Sequence, residues 1–144
     1  MVKQKLNVSD ISVLINEFNS DLYDCRLVNV YDINSRCFLL KFNKDNGDRK
    51  DKEFVLIDSN PQSPRFHITK QEYLCNANRR TLPSSFCNKL RKHLTNKRIT
   101  KITQLGMDRI VDFQFGKESI YHIIIELYDS GNLVLTDENY NKAE

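Results

Sequence analysis

Asp108 and Arg109 stand side by side where a turn at Gly106 gives way to a predicted strand. From Arg109 onward every second residue is apolar, so the guanidinium shares a strand face with Val111 and Phe113. A guanidinium on an apolar face needs a carboxylate or a phosphate as its partner. Arg109 is therefore either one half of an ion pair or a contact to a polynucleotide, and it is expected to be partly buried.

Asp10 is a second acidic candidate, in the first turn of a helix predicted over residues 9–23. The helix dipole favours a carboxylate there, and an ion pair between Asp10 and Arg109 would hold helix to sheet. The functional alternative is an exposed Asp108–Arg109 pair that reads a polynucleotide. The residue pattern alone slightly favours the structural ion pair.

Residues 79–101 carry eight basic side chains and no acidic one. The eight are Arg79, Arg80, Lys89, Arg91, Lys92, Lys97, Arg98 and Lys101. The whole chain has a formal charge of +3, so the remainder carries −5. Such a run can bind the phosphates of nucleic acid in a salt-dependent way, or it can be a solvated helix face whose charges pair with acidic residues elsewhere in the fold. The absence of acids within the run modestly favours nucleic acid.

No motif indicates catalysis, a cofactor or a metal. The chain has only 4 glycines, which excludes a phosphate-binding loop or a dinucleotide fingerprint. Its 4 cysteines form no CxxC pair and its 3 histidines are scattered, so reduced thiols and no zinc site are expected. No signal peptide follows Met1 and no apolar run could span a membrane. We expect a cytoplasmic protein, or one also found in the nucleus, that is not an enzyme.

Hydrophobic periodicity predicts two helices and about eight short strands in one domain, residues 1–144. Helices are expected over residues 9–23 and 83–94. Strands are expected over residues 26–32, 37–44, 53–58, 65–69, 98–105, 109–115, 121–128 and 132–136. Residues 44–52 are expected to form a charged loop, and residues 70–82 a polar connection. The order helix, four strands, helix, four strands indicates two similar halves in an α+β domain, mostly a β sandwich or flattened barrel.

Several segments resemble the NFACT-N domain, the N-terminal domain of the nuclear export mediator factor and ribosome quality control complex subunit family. They are Ser9–Ile11, Arg26–Asp32, Pro83–Leu94, Lys97–Ile99, Gln104–Gly116 and Tyr121–Asp137. The likeness spans nearly the whole chain, with residues 44–52 and 70–79 as apparent insertions. It implies the fold of the N-terminal domain of formamidopyrimidine-DNA glycosylases, and an N-terminal fragment of a much longer protein.

The resemblance also implies a function. Family members bind the large ribosomal subunit with stalled peptidyl-tRNA, recruit alanyl-tRNA (and threonyl-tRNA in yeast), and direct C-terminal tailing of the nascent chain. They stabilise a Listerin-type E3 ubiquitin ligase on the same particle. The family's tailing residues, a helix-start aspartate and an Asp-Arg pair on the tRNA-facing side, fall on Asp10, Asp108 and Arg109.

Two other functions are considered, and one of them is rejected. Glycosylase chemistry is suggested by the fold likeness alone, and we reject it because Val2 stands where those enzymes carry a nucleophilic proline. A general nucleic-acid-binding or protein-binding module without tailing activity is the remaining alternative, with the basic helix meeting an acidic partner.

Overall fold

A computed structural model describes residues 8–34, 36–46, 49–59, 65–69, 84–106, 109–127 and 132–142. The described residues form two helices and eight strands, in the order that the sequence predicts. The elements are α1 (Val8–Leu22), β1 (Arg26–Asn34), β2 (Cys37–Asn46), β3 (Arg49–Asp58), β4 (Arg65–Thr69), α2 (Ser85–Leu94), β5 (Ile99–Gln104), β6 (Ile110–Phe115), β7 (Tyr121–Glu126) and β8 (Asn132–Asp137). None of the described helices is long and apolar enough to cross a membrane.

The strands form two antiparallel sheets, each with its strands in sequence order. Sheet 1 has the order β1-β2-β3-β4 and sheet 2 the order β5-β6-β7-β8. Their inner faces enclose one hydrophobic core, because the period-2 alternation places apolar side chains on one side of each strand. The predicted α+β sandwich of about eight strands and two helices is confirmed.

The two halves are interlocked by their helices. The helix of the first half, α1, packs on β5 of sheet 2, and α2 packs on β1 of sheet 1. Helix α1 turns its buried stripe inward, where the ring of Phe18 meets Phe66 of β4 at 5.1 Å between centroids. Phe113 of β6 meets Phe66 at 5.6 Å and completes the aromatic centre. Each fully buried aromatic side chain contributes about 2 kcal/mol by its removal from water.

Backbone hydrogen bonds join the two sheets at one corner. The N–H of Leu27 donates to the carbonyl of Lys97 at 2.9 Å, and the N–H of Ile99 donates to the carbonyl of Cys25 at 2.9 Å. These bonds satisfy edge groups of β1 and β5 that would otherwise be unpaired. The sandwich is thereby closed at this corner into a flattened barrel.

The prediction of a loop over residues 44–52 is wrong for most of that segment. Strand β2 continues to Asn46 and β3 begins at Arg49, with the two strands paired as far as this last residue pair. The Asn-Gly dipeptide at residues 46–47 is a tight hairpin-turn signal, which the density of charges in the segment obscured. The expected connection over residues 70–82 lies outside the described residues.

The two described glycines with positive φ differ in their surroundings and make a matched pair. A Cβ on Gly116 (φ 90°) would lie 2.5 Å from the carbonyl oxygen of Ser119, whereas a Cβ on Gly106 (φ 62°) would meet nothing within 4 Å. Gly106→Ala should cost about 1 kcal/mol of unfolding free energy for its left-handed backbone alone. Gly116→Ala should cost about 3 kcal/mol because a backbone clash is added. Urea unfolding measures both, and equal losses would show that the Ser119 loop yields freely.

Candidate nucleic-acid interface

The first turn of α1 lies at the end of sheet 2 where β5 leads into β6. The Ser12 hydroxyl donates to Oε1 of Gln104 at 2.8 Å, at the last residue of β5. About two turns later, the side-chain amide of Asn19 donates to the carbonyl of Ile102 at 3.0 Å. These contacts orient α1 along β5, so half-buried Asp10 in the first turn lies toward the end of sheet 2 that carries Arg109.

Arg109 immediately precedes β6, and its carbonyl accepts the N–H of Leu127 at 2.8 Å, which extends the ladder by one residue. The predicted alternation is confirmed for Val111, Phe113 and Phe115, which are all buried in the core. The Arg109 side chain is half-buried, as expected for the open end of that face. Among the described residues no ion pair joins Arg109 to a carboxylate. Asp108, the remaining member of the predicted trio, lies outside them.

Three members of the basic run are bound to backbone carbonyls. Arg91 Nε donates to the carbonyl of Val30 at 2.9 Å and fastens α2 to β1. Arg98 Nη1 donates to the carbonyl of Asp24 at 2.8 Å, and Lys97 Nζ donates to that of Ser119 at 2.7 Å. A guanidinium or ammonium held in this way has fewer donors left for a phosphate.

The other basic residues are spread over the fold. Lys92 of α2 and Lys101 of β5 are exposed, and Lys89 is half-buried beside β8. Arg79 and Arg80 lie outside the described residues. The carbonyl of Arg98 accepts the N–H of Gly116, which follows the last residue of β6. Arg109 precedes the first residue of β6, so the six residues of that strand, or roughly 20 Å, separate Arg98 from Arg109. The described basic residues of this run therefore do not form one compact surface with Arg109.

A buried polar cluster on the outer face of sheet 2 was missed by the sequence analysis. Asp112 Oδ1 lies 2.7 Å from Nδ1 of His122, and both side chains are buried. The Tyr140 hydroxyl donates to Oδ2 of Asp112 at 2.8 Å, and its ring stacks on His122 at 4.3 Å between centroids. The hydrogen bond to Asp112 raises the pKa of Tyr140, and partial burial adds to the shift. The available signal was an aspartate and a histidine on neighbouring strands, and their approach depends on strand register.

The described side chains contain no group of three or more His, Cys, Asp or Glu that could hold a metal ion. Cys25, Cys37 and Cys87 are free and buried. Burial raises the pKa of each of these thiols, that of Cys37 to about 12. All three therefore stay protonated near neutral pH and are poor nucleophiles.

Arg91 and Lys92 provide a test of which basic residues are structural. Arg91→Ala should lower the free energy of unfolding by about 1–2 kcal/mol, because it removes the guanidinium that bonds the Val30 carbonyl. Lys92→Ala removes the same charge from the exposed neighbour and should change the free energy of unfolding by less than about 0.5 kcal/mol. Thermal or urea unfolding measures both, and an equal effect would contradict a docking role for Arg91.

Tyr140 should give a stability component that disappears in alkali. Because the folded pKa is raised above the unfolded value, the stabilisation is fully present below about pH 10 and is lost as pH rises through the folded pKa. Its size should be roughly 1 kcal/mol or less, since the residue is 54% exposed. Tyr140→Phe keeps the ring and should abolish this component. Urea unfolding of both proteins between pH 8 and about pH 11 measures it, and parallel profiles would contradict the assignment.

Several known proteins are similar in sequence to nearly the whole of this chain. The human ribosome quality control complex subunit NEMF is 41% identical over 140 residues, 96% of this chain and 12% of that protein. The Drosophila melanogaster homolog of that subunit is 42% identical over 137 residues, 94% of this chain and 13% of that protein. Ribosome quality control complex subunit 2 of Saccharomyces cerevisiae is 36% identical over 140 residues, 96% of this chain and 12% of that protein. The chain thus spans about an eighth of the length of these relatives.

Two solved structures share the fold. The N-terminal domain of the fibronectin-binding protein PavA from Streptococcus pneumoniae matches with a TM-score of 0.81 and 22% identity, over 92% of this chain and 49% of that one. The N-terminal part of the fibronectin/fibrinogen-binding protein from Streptococcus suis matches with a TM-score of 0.85 and 19% identity, over 97% of this chain and 52% of that one.

The sequence profile of the NFACT N-terminal and middle domains matches residues 8–143. This match covers nearly the whole chain, and it agrees with the resemblance seen in the sequence and with the two-sheet fold. The chain therefore belongs to the NFACT family.

Proposed function

We propose that this chain is the tRNA-binding and ribosome-binding module of a ribosome quality control factor. The factor would bind the large ribosomal subunit with stalled peptidyl-tRNA and recruit charged alanyl-tRNA or threonyl-tRNA. It would support C-terminal tailing and the recruitment of a Listerin-type ubiquitin ligase. Support comes from the relatives, which are named as subunits of the ribosome quality control complex in animals and yeasts.

The observation that carries the proposal is the position of α1 and Arg109 at one end of sheet 2. The contacts of Ser12 and Asn19 orient the first turn of α1 toward the end of sheet 2 that carries Arg109. A helix N-terminus and a guanidinium both favour a phosphate group. Asp10 adds a carboxylate that accepts hydrogen bonds from base or ribose donors, and this makes the end suitable for a nucleotide and less so for a simple anion.

The contribution of the domain is positioning, and we propose that it is not an enzyme. The described residues place no nucleophile beside a general base at the Arg109 end of sheet 2. Peptide-bond formation would belong to the ribosome, and correct orientation of the charged tRNA can supply a large rate effect without a catalytic group. We propose a cytoplasmic location, since the ribosome is the partner.

Binding of tRNA as a function of salt tests the proposal. Arg109→Ala should weaken tRNA binding about tenfold and reduce the slope of log affinity against log salt by about 1, because one phosphate contact is lost. Lys52→Ala is the matched control, since Lys52 is exposed on β3 of the other sheet and its loss removes the same charge. The control should leave affinity and slope nearly unchanged. In the longer protein, Arg109→Ala should abolish tailing.

Each result has a distinct meaning. If Arg109→Ala leaves tRNA binding and tailing intact but strongly lowers the unfolding midpoint, Arg109 is structural. If the domain binds no tRNA at low salt, its role is that of a protein-binding module. If Arg109→Ala changes neither the tRNA affinity nor its salt dependence, the phosphate contacts lie elsewhere in the fold.

A further inference from the structure

A cleft of about 510 Å³ lies at the end of sheet 2 opposite to the end that carries Arg109. Its walls are residues 96–98, which connect α2 to β5, and residues 116–119, which connect β6 to β7. The carbonyl of Arg98 accepts the N–H of Gly116 at 2.8 Å and joins the two walls. The backbone hydrogen bonds between the two sheets are at the same corner, so we name this site the corner cleft.

Three residues at this corner have a left-handed backbone. They are Asp24 (φ 63°), Asn96 (φ 71°) and Gly116 (φ 90°). The N–H of Asp24 donates to the carbonyl of Ile99 at 2.9 Å, and the N–H of Asn96 donates to that of Leu27 at 2.8 Å. These bonds hold both residues in a conformation that is uncommon outside glycine. The walls of the cleft are therefore preformed, and such backbone conformations are concentrated at ligand sites.

Lys97 is fixed at one wall of the corner cleft. Its Nζ donates to the carbonyl of Ser119 at 2.7 Å and lies 5.5 Å from the centroid of the Tyr121 ring. An ammonium has three N–H donors, so one bond to Ser119 leaves Lys97 able to bind an anion as well. A cation that is already held in place loses less side-chain entropy when a ligand binds.

Arg98 and Lys117 add two cations on either side of one carboxylate. Lys117 Nζ lies 3.9 Å from Oδ1 of Asp24, and Arg98 Nη1 lies 3.6 Å from Oδ2. Both separations are longer than a hydrogen bond, and the Lys117 side chain is 68% exposed, so its pairing with Asp24 is weak. With Lys97 and Glu118 included, the corner has three cations and two carboxylates, an excess of one positive charge.

The lining combines these cations with groups that suit a sugar. Glu118 supplies an exposed carboxylate acceptor, and the exposed side chains of Asn96 and Ser119 can both donate and accept hydrogen bonds. A site for a simple anion would exclude the carboxylate, because like charges repel. A ribose phosphate presents an anion beside a 2′-hydroxyl donor, so it matches both kinds of group. The lining therefore favours RNA over DNA and over an acidic peptide.

We propose that the corner cleft is a second RNA site, in which three cations bind one phosphate and Glu118 accepts the adjoining 2′-hydroxyl. The cations are Lys97, Arg98 and Lys117. The proposal rests on the proposed function, because the same RNA would also meet Arg109, roughly 20 Å away along β6. Lys117 lies outside the basic run of the sequence, and only the fold brings it to the two members of that run at this corner.

Binding of a tRNA transcript as a function of salt tests the cations. Lys117→Ala should weaken binding about threefold to tenfold and reduce the slope of log affinity against log salt by about 1. Lys142→Ala is the matched control, since Lys142 is also exposed but β7 and β8 lie between it and β6. The control should change neither quantity. Lys117→Ala combined with Arg109→Ala should multiply their separate effects, because the two contacts are distant.

Glu118→Ala tests the ribose contact through the sign of its effect. If the carboxylate acts only through its charge, its removal strengthens the binding of RNA and DNA alike. If Glu118 accepts the 2′-hydroxyl, Glu118→Ala should weaken the binding of the tRNA transcript about threefold and should not weaken that of DNA of the same sequence. Urea unfolding of Lys117→Ala and Glu118→Ala, with midpoints equal to that of the wild type, verifies that both variants fold.

The outcomes separate this proposal from the proposed function. If Arg109→Ala weakens tRNA binding and Lys117→Ala does not, the corner cleft is no RNA site and the proposed function stands. If the wild-type chain binds no tRNA at low salt, both fail. Stronger binding of RNA and DNA by Glu118→Ala would overturn the ribose contact. If polyglutamate displaces the tRNA as well as RNA does at equal charge, the partner is an acidic protein and the RNA site is overturned.

Discussion

The fold depends on the exchange of helices between its halves. Helix α1 precedes sheet 1 but packs on sheet 2, and α2 precedes sheet 2 but packs on sheet 1. The stripe of α1 is buried against both sheets, since Phe18 contacts Phe66 of β4 and Phe113 of β6, so the complete core needs both halves. Asp10 and Arg109 belong to different halves, separated by about a hundred residues of chain. The same exchange that builds the core therefore brings α1 to the end of sheet 2 that carries Arg109.

The sequence predicted the elements well because their periodicities are local. The helical stripe of α1 and the alternation from Arg109 through Val111 depend only on neighbouring residues, and both are present in the structure. The order of elements and a simple meander then give the two sheets. The segment over residues 44–52 was misjudged because charge was weighted above its Asn-Gly turn signal. Charged residues are common in exposed hairpin ends, where both faces meet water.

Contacts between distant residues could not be predicted in this way. Asp112 is 10 residues from His122 and 28 from Tyr140, and their meeting depends on strand register and on the turn after β8. The basic run shows the same limit. Eight basic residues close together in the sequence suggested one surface. Arg91, however, lies in the last turn of α2 and donates its Nε–H to the carbonyl of Val30 in β1. Counting charges along the chain overestimates the surface that a polyanion can meet.

Tyr140 and Arg109 are two side chains that local rules disfavour in their positions, and each conflict points to a long-range requirement. Tyr140 is in a left-handed conformation that is unfavourable for its residue type, and the buried Asp112–His122 pair supplies the compensation. Such a buried pair is costly unless fully bonded, so its presence implies that fixing the turn after β8 is important to the fold. For Arg109, half-buried at the end of sheet 2, no carboxylate of the described residues supplies that compensation. The proposed function assigns this role to a phosphate of the bound RNA, which has the charge and geometry that a guanidinium requires.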